Sequence, residues 1–462
     1  MVPSETVSAS RIRIALTVVL VLLTLSSVAA TATYEPPELQ RGTVTDPANG
    51  TTVVSTHGWH ASLTGPADPD KPVRLVALSE DARLQWERET TDIPGTRFYD
   101  VDPLPDGDLL VTNTTADGQT LVTRLDPDTG EREWQQRLDI EDTHDVDLIN
   151  GDELLVANIK NSSNGTSYDG VFVYDLNEDR ITWHWYFRNH YPLSTDGGLD
   201  HDWTHVNDVD KIANGTYMVS PRDFDQVIAI DRETKNITWR LGSDDEYGIM
   251  NEQHNPQYLE TESGQKTVLV ADSENDRVVE YTYEDGSWTQ VWAVGDDKLQ
   301  WPRDADRLPN GNTLIVDSMN QRVVEVTPTG EIVWEYYVPW APYDAERMHL
   351  GDEPDGPTMR DLNVSGSYDL SGSAGHAAHS GEPTLFQRAE FATDGVPVLG
   401  DVVGWSVDKI QHYGPWAIPN WMPLSALFNG GLAVVVALVW GIGEAVIRRE
   451  RIVAGVRGRL GS

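Results

Sequence analysis

Cysteine is absent from the 462-residue chain, which excludes disulfide cross-links, thiol nucleophiles and thiolate metal sites. Lysine is scarce, so arginine supplies most of the positive charge. Against 34 Lys+Arg stand 74 Asp+Glu, for a net charge of -40. No basic stripe is left to track phosphates, and nucleic-acid binding is disfavoured. A disordered acidic tail does not fit either, because the acids are interspersed with Trp, Val and Leu throughout. The pattern is that of a surface adapted to very high salt, where counter-ions screen the self-repulsion.

Long apolar runs are also few. One is Ile12 to Ala30, behind Arg11 and Arg13; the other is Leu424 to Ile447, followed by Arg448, Arg449 and Arg451. Both are long enough to cross a bilayer. Positive charge flanks the outer end of each, which puts both termini in the cytoplasm and everything from about Thr33 to Trp421 outside. The first run also reads as a cleavable signal peptide, with Ala30-Thr31-Ala32 as the cut. Asn-x-Ser/Thr sequons at Asn49, Asn113, Asn161, Asn164, Asn214, Asn236 and Asn363 fit an exported glycoprotein domain.

Between the runs a pattern recurs. LDPDTGEREW, YDLNEDRITW and IDRETKNITW place Trp134, Trp183 and Trp239 eight positions after Asp126, Asp175 and Asp231. The same offset links Leu78 to Trp86, Glu284 to Trp292 and Val326 to Trp334. Turns recur as well, in PLPDGDLLV, INGDELLV, IANGTYMV and RLPNGNTLIV; Asp-Gly and Asn-Gly are hairpin signals because a primed turn needs positive φ. Six units of this length predict an all-β, six-bladed β-propeller; an open β-sandwich would not require a fixed repeat. The expected layout is a cytoplasmic tip and anchor or signal segment over 1–32, a polar entry over 33–50 and the propeller over 51–342. A flexible spacer and membrane-proximal region follow over 343–423, then a transmembrane helix over 424–447 and a basic cytoplasmic tail over 448–462. Loops are expected at GPADPDKP, at NSSNGTSYDG and, longest, from Phe187 to Trp203.

Three histidines, His144, His205 and His254, each sit upstream of a Gly turn and a strand, in blades three, four and five. In a closed propeller such positions meet at one mouth of the central channel. Arg222 follows the strand after His205, and Tyr99 and Arg303 hold corresponding places in blades two and six. Each histidine alone reads equally as a polar loop residue; three in successive blades read as a site. Neutral imidazole can attack an electrophile near pH 7, and guanidinium groups stabilise oxyanions.

Asp202-Trp203-Thr204-His205-Val206-Asn207, with Val219-Ser220-Pro221-Arg222, resembles the central motif of the arylsulfate sulfotransferase family, and Gln253-His254 resembles its second motif. The acid excess and the anchors suggest a membrane-anchored, halophilic archaeal type. The resemblance implies a six-bladed propeller enzyme that moves a sulfuryl group from an aryl sulfate to a phenolic hydroxyl through a sulfated histidine, with no nucleotide donor and no cofactor. It implies His254 as nucleophile, with His205, Arg222 and His144 gripping the sulfuryl oxygens. Asn207, Trp203, Tyr99 and Arg303 are candidate substrate contacts, and no metal is expected. The chain departs from the bacterial members in lacking their N-terminal β-sandwich and cysteine pair. Expected partners are a small aryl sulfate, a hydroxyl acceptor and the membrane. Two other readings are a non-catalytic quinoprotein-like binding propeller and a three-histidine metal centre; Arg222 opposes the latter.

Overall fold

The computed structural model describes residues 9–58, 71–90, 92–93, 95–160, 162–163, 165–295, 298–373, 403–404, 406 and 419–460. The chain divides into two units, Glu38–Gly381 and the pair of terminal segments Met1–Pro37 and Glu382–Ser462.

Glu38–Gly381 is an all-β unit of six blades, each an antiparallel sheet of at least four strands. The six repeated tryptophans lie on the fourth strands at one register. Trp86 faces Ala77, Trp134 faces Arg124, Trp183 faces Val173, Trp239 faces Ala229, Trp292 faces Glu280 and Trp334 faces Glu325. A bulge follows each pairing, so the repeat read from sequence is also a repeat of backbone irregularity. Three of the indoles donate to a turn of the next blade: Trp183 Nε1 to Arg232 O (2.9 Å), Trp292 to Pro328 O (2.8 Å) and Trp334 to Glu80 O (3.1 Å). The last joins blade six to blade one and closes the ring.

The ring is also closed by strand exchange at both chain ends, which corrects the expected boundaries. Pro342–Arg347 is the innermost strand of blade one, ahead of Thr52–Thr56, Arg74–Leu78 and Leu84–Glu89. Gln40–Val44 is a fifth, outer strand on blade six. Closing a sheet ring removes free strand edges, and using both ends ties the termini in. The region from 343 to Ser373 is therefore no spacer. Gly366–Asp369 adds a parallel strand to blade five, and Met359 and Leu370 are buried. Gln257 Nε2 donates to Pro354 O (2.9 Å), and Met359 N donates to Glu280 Oε1 (2.9 Å). Most of 374–423, including Trp405 and Trp416, lies outside the described residues, as do Asn161, Asn164 and most of GPADPDKP. Asn113 is fully buried, so its sequon cannot carry a sugar in the folded blade.

The innermost strands share a motif that the spacing of tryptophans conceals. Five read acid-x-acid: Asp100-Val-Asp102, Asp145-Val-Asp147, Asp208-Val-Asp210, Asp304-Ala-Asp306 and Asp344-Ala-Glu346. The first acid accepts a backbone N–H from the next blade. Asp344 takes Val101 N (2.8 Å), Asp100 takes Val146 N (3.5 Å), Asp145 takes Val209 N and Asp304 takes Ala345 N (3.3 Å). Blade five breaks the pattern with Asn255-Pro256-Gln257. Proline has no N–H to offer Asp208. Asn207 Nδ2 instead donates to Gln253 O (2.8 Å), and Gln257 Oε1 takes Arg307 N (2.7 Å).

In the terminal unit, helices Ala9–Ala32 and Leu424–Leu460 contain spans long and apolar enough to cross a membrane, Ser10–Ala32 and Leu424–Arg449. They run antiparallel. Arg13 pairs with Glu444 (2.6 Å), and Ser27 Oγ donates to Ala426 O (2.7 Å) at the other end.

Candidate active site

One residue before each inner acid pair sits a side chain that the repeat leaves free to vary: Tyr99, His144, Asn207, His254, Arg303 and Tyr343. Local backbone aims it. In blades two, four, five, six and one the inner strand bulges around this residue, and such bulges re-direct side chains at sheet ends. In five blades the residue two places earlier is left-handed: Asp142 (φ 53°), His205 (38°), Glu252 (48°), Trp301 (52°) and Ala341 (53°). Each such non-glycine conformation costs roughly 1–3 kcal/mol, and such strain gathers at functional sites.

This register corrects the assumed equivalence of the histidines. His144 and His254 hold the same repeat position, which in blade four belongs to Asn207. His205 is the left-handed residue before it, and a long loop carries it inward. Phe187, Tyr191, Trp203 and Phe224 pack together beneath that loop. Trp203 is therefore a core residue: it is fully buried, its ring packs on Phe224, and Nε1 donates to Thr195 O (3.0 Å).

The remaining predicted residues converge. Tyr99 stacks on His144 at 4.1 Å between ring centroids, and His144 meets His205 edge-on at 5.0 Å. Tyr343, which the sequence reading missed, stands in the middle. Its hydroxyl is 2.9 Å from His144 Nδ1, and its ring is 6.0 Å from that of His254. The Arg303 guanidinium lies 4.7 Å over Tyr343 and 4.5 Å over Trp301. Its Nε and Nη1 are buried with no hydrogen-bond partner among the described residues, so the group is poised for an anion. Burial pulls its pKa down to about 10, which leaves it charged at neutral pH. Arg222 is bound to Asp223 (2.8 Å) and lies 3.6 Å from Glu252; burial opposes its charge, but these carboxylates outweigh it and hold the pKa above the ordinary value.

Two imidazoles are fixed in one tautomer. Ser273 Oγ donates its proton to Pro302 O (2.6 Å), so toward His254 Nδ1 (2.8 Å) it can only accept. Glu252 O, at 3.2 Å from the same nitrogen, is likewise an acceptor. His254 therefore carries its proton on Nδ1 and its lone pair on Nε2. His205 Nδ1 faces Asp202 Oδ2 (2.9 Å), which leaves Nε2 buried and without a partner among the described residues. Burial, then the nearby cations, push all three histidines well below their usual pKa, and they are neutral near pH 7.

Outside this ring Lys160 bridges Asp142 (2.9 Å) and Asp202 (3.3 Å), and Asp142 also accepts the Tyr99 hydroxyl (2.6 Å). His57 closes the rim beside Tyr99, 5.2 Å between rings. Neither Lys160 nor His57 belongs to a sequence repeat. Tyr343 does: Tyr-Asp-Ala-Glu echoes Tyr-Asp-Val-Asp at Tyr99 and Arg-Asp-Ala-Asp at Arg303, and that echo was the signal available.

A site with two cations, three neutral imidazoles and fixed lone pairs suits transfer of an anionic group. Residues 86–290 match the arylsulfotransferase (ASST) family model. That stretch carries Tyr99, His144, His205, Asn207, Arg222 and His254, and stops short of Arg303 and Tyr343. The arylsulfotransferase match supports an enzyme of that general activity with small-molecule substrates. No curated protein matches the chain. Solved structures similar to it include a protein of unknown function from Bacteroides caccae (13% identity, TM-score 0.44, 70% of this chain and 98% of that one). Others are virginiamycin B lyase from Staphylococcus aureus (12%, 0.34, 53% and 70%) and an auxiliary nutrient binding protein from Bacteroides thetaiotaomicron (12%, 0.37, 57% and 73%).

Proposed function

We propose that the protein transfers a sulfuryl group from an aryl sulfate to a hydroxyl acceptor through a sulfated His254, without a nucleotide donor. The observation that carries this is the tautomer of His254, held by Ser273 and Glu252 with Nε2 free to attack. In the first half-reaction the Nε2 lone pair forms an N–S bond. The aryl S–O bond breaks, and its electron pair leaves on the phenolate, which takes a proton from water. Arg222 and Arg303 hold charge on the sulfuryl oxygens and the leaving oxygen. In the second half the acceptor oxygen attacks sulfur, the N–S pair returns to Nε2, and the hydroxyl proton passes to a base.

His205 is that base in this reading. A neutral ring that gives its Nδ1 proton to Asp202 has no N–H on Nε2, so it cannot grip a sulfuryl oxygen as first expected; it can accept a proton. His144, joined to Tyr343, orients the tyrosine hydroxyl. Purified full-length protein in detergent should release phenol from a chromogenic aryl sulfate faster when a second phenol is added. A purely binding propeller would release none. The antiparallel apolar helices support a membrane anchor with both ends on one side, and we place the propeller outside the cell. Protease added to intact cells should then remove the propeller and spare the tail after Arg448.

A further inference from the structure

Below the imidazole level the channel is lined by acids, and one group of them is built differently from the rest. Carboxylate oxygens of Asp102, Asp147 and Asp352 lie within 4.8 Å of one another. They come from blade two, blade three and the loop that follows the closing strand. That loop is aimed: Gly351 turns at φ 85°, where a Cβ would stand 3.9 Å from Pro103 O, beside Asp102. A second triad, Asp304, Asp306 and Glu346, is as compact, and among the described residues Asp306 Oδ2 and Glu346 Oε2 also lack hydrogen-bond partners, but a cation stands beside it. Asp304 holds Ala345 N, and the Arg347 guanidinium acts on Asp306.

The charges that act on the first group are carboxylates, with no cation among them. Asp147 accepts the Lys211 N–H, but the charges that dominate around it are carboxylates. Asp102 is 4% exposed, and its Oδ1 has no hydrogen-bond partner among the described residues. Asp208 is 6% exposed and bonds to Asp210, but its Oδ2 has no partner among the described residues, since Pro256 stands where the next blade would present an N–H. Among the charges that act on Asp208, those of Asp352 and then Asp100 dominate, both carboxylates. Buried ionised oxygens without partners are costly unless a cation or a proton joins them. Asp102 and Asp208 would each keep their packing as Asn, so hydrogen bonding alone does not call for the charge.

We propose that Asp102, Asp147 and Asp352, with Asp208 alongside, bind one calcium ion that pins the closing loop to blades two and three. An all-carboxylate oxygen set selects a hard cation. Ligands drawn from three separate segments favour the larger, geometrically tolerant calcium over magnesium, which demands a near-ideal octahedron and retains its waters. The site lies three residues down the inner strand from Tyr99, about 10 Å below the imidazoles. It is thus independent of the sulfuryl-transfer reading.

The test uses the full chain in detergent and molar KCl, where potassium competes for surface acids. After treatment with a chelator and desalting, calcium alone is titrated, with metal content measured on the re-desalted protein. One calcium per chain should be retained, and Tm should rise by several degrees, since a ligand of the native state alone stabilises it. Asp352→Asn and Asp102→Asn should lose the retained ion and the rise in Tm. Their Tm in chelator should be no lower than that of the wild type, because each removes a repelling charge. Asp285→Asn, at an exposed turn, should change nothing. Retention of no calcium, retention unaffected by Asp352→Asn, or an equal response to magnesium would overturn the proposal.

Discussion

The inner strands meet the central channel at two levels, and the levels obey different rules. At the lower level five of six blades carry the same acid-x-acid pair, and in four of them the first acid caps a backbone N–H of the neighbouring blade. One residue higher, no such demand exists, and the six blades present two tyrosines, two histidines, an asparagine and an arginine. Ring closure constrains one position and releases the next. Blade five shows the coupling between them. It gives up the acid pair for Asn255-Pro256-Gln257, and it supplies the proposed nucleophile, His254.

The largest effect should come from removing that nucleophile. His254→Asn should abolish phenol release and the acid-labile sulfuryl adduct that aryl sulfate alone leaves on the wild-type peptide. A label on His205 or His144 would keep the reaction class and reassign the role. Full activity in the variant would end the covalent reading.

Next come the cations. Arg222→Ala should lower kcat by roughly 10²–10³-fold, the size of losing one transition-state donor. Arg303→Ala should act as strongly, since its unpaired nitrogens are the ones left open to an anion. An effect confined to KM would make these groups binding residues only.

Titration should separate the two levels by sign. The histidines are pushed down, so the unfolded chain binds more protons below its ordinary value near 6.5. Their contribution to stability is full above that pH and is lost as pH falls toward the depressed folded values. The same shift should keep kcat/KM on its plateau well below pH 6.5. The channel carboxyls are pushed up, by burial first and by one another next, with Asp352 reaching about 7. Their contribution is full below about 4 and lost as pH rises through the raised values. In chelator and low salt, Tm should therefore rise as pH is lowered from 8 to 6. A Tm that climbs with pH across that range would mean that the histidines, not the acids, govern stability there.

Much of this architecture was legible because it repeats. The Trp spacing gave six blades, and all six tryptophans hold one register. His144, His254, Tyr99 and Arg303 stand out as candidates because each lies near a recurring turn, and the structure places them at one repeat position. Three things were not legible. Pro342–Arg347 pairs with Thr52–Thr56, nearly the whole propeller away in sequence, so nothing local marks it as a strand of blade one. Trp203 reads as a site residue from its place in the Asp202–Asn207 motif, but its ring packs on Phe224 and its Nε1 is bound to Thr195 O. Gly351 to Gly381 reads as a spacer from its Gly, Ser and Asp content, yet its described part, up to Ser373, is tied to the propeller. Its sparse apolar residues, Met359 and Leu370, are buried and anchor it, with backbone bonds to Gln257 and Glu280.

The smallest effect bears on the late-arriving strand. Tyr343 reaches the site only through ring closure, and its hydroxyl and ring do separate things. The hydroxyl pairs with His144 Nδ1; the ring backs Arg303 and meets His254 edge-on. Tyr343→Phe removes the first and keeps the second. A neutral hydrogen bond contributes about 0.5–1.5 kcal/mol net, so kcat/KM should fall by about 2–12-fold. Tyr343→Ala should cost more, because it also uncovers Arg303. Equal losses in the two variants would place the whole contribution in the hydroxyl. A Phe variant as active as the wild type would leave His144 without its assigned partner and reduce the upper level to His254, His205 and the two arginines.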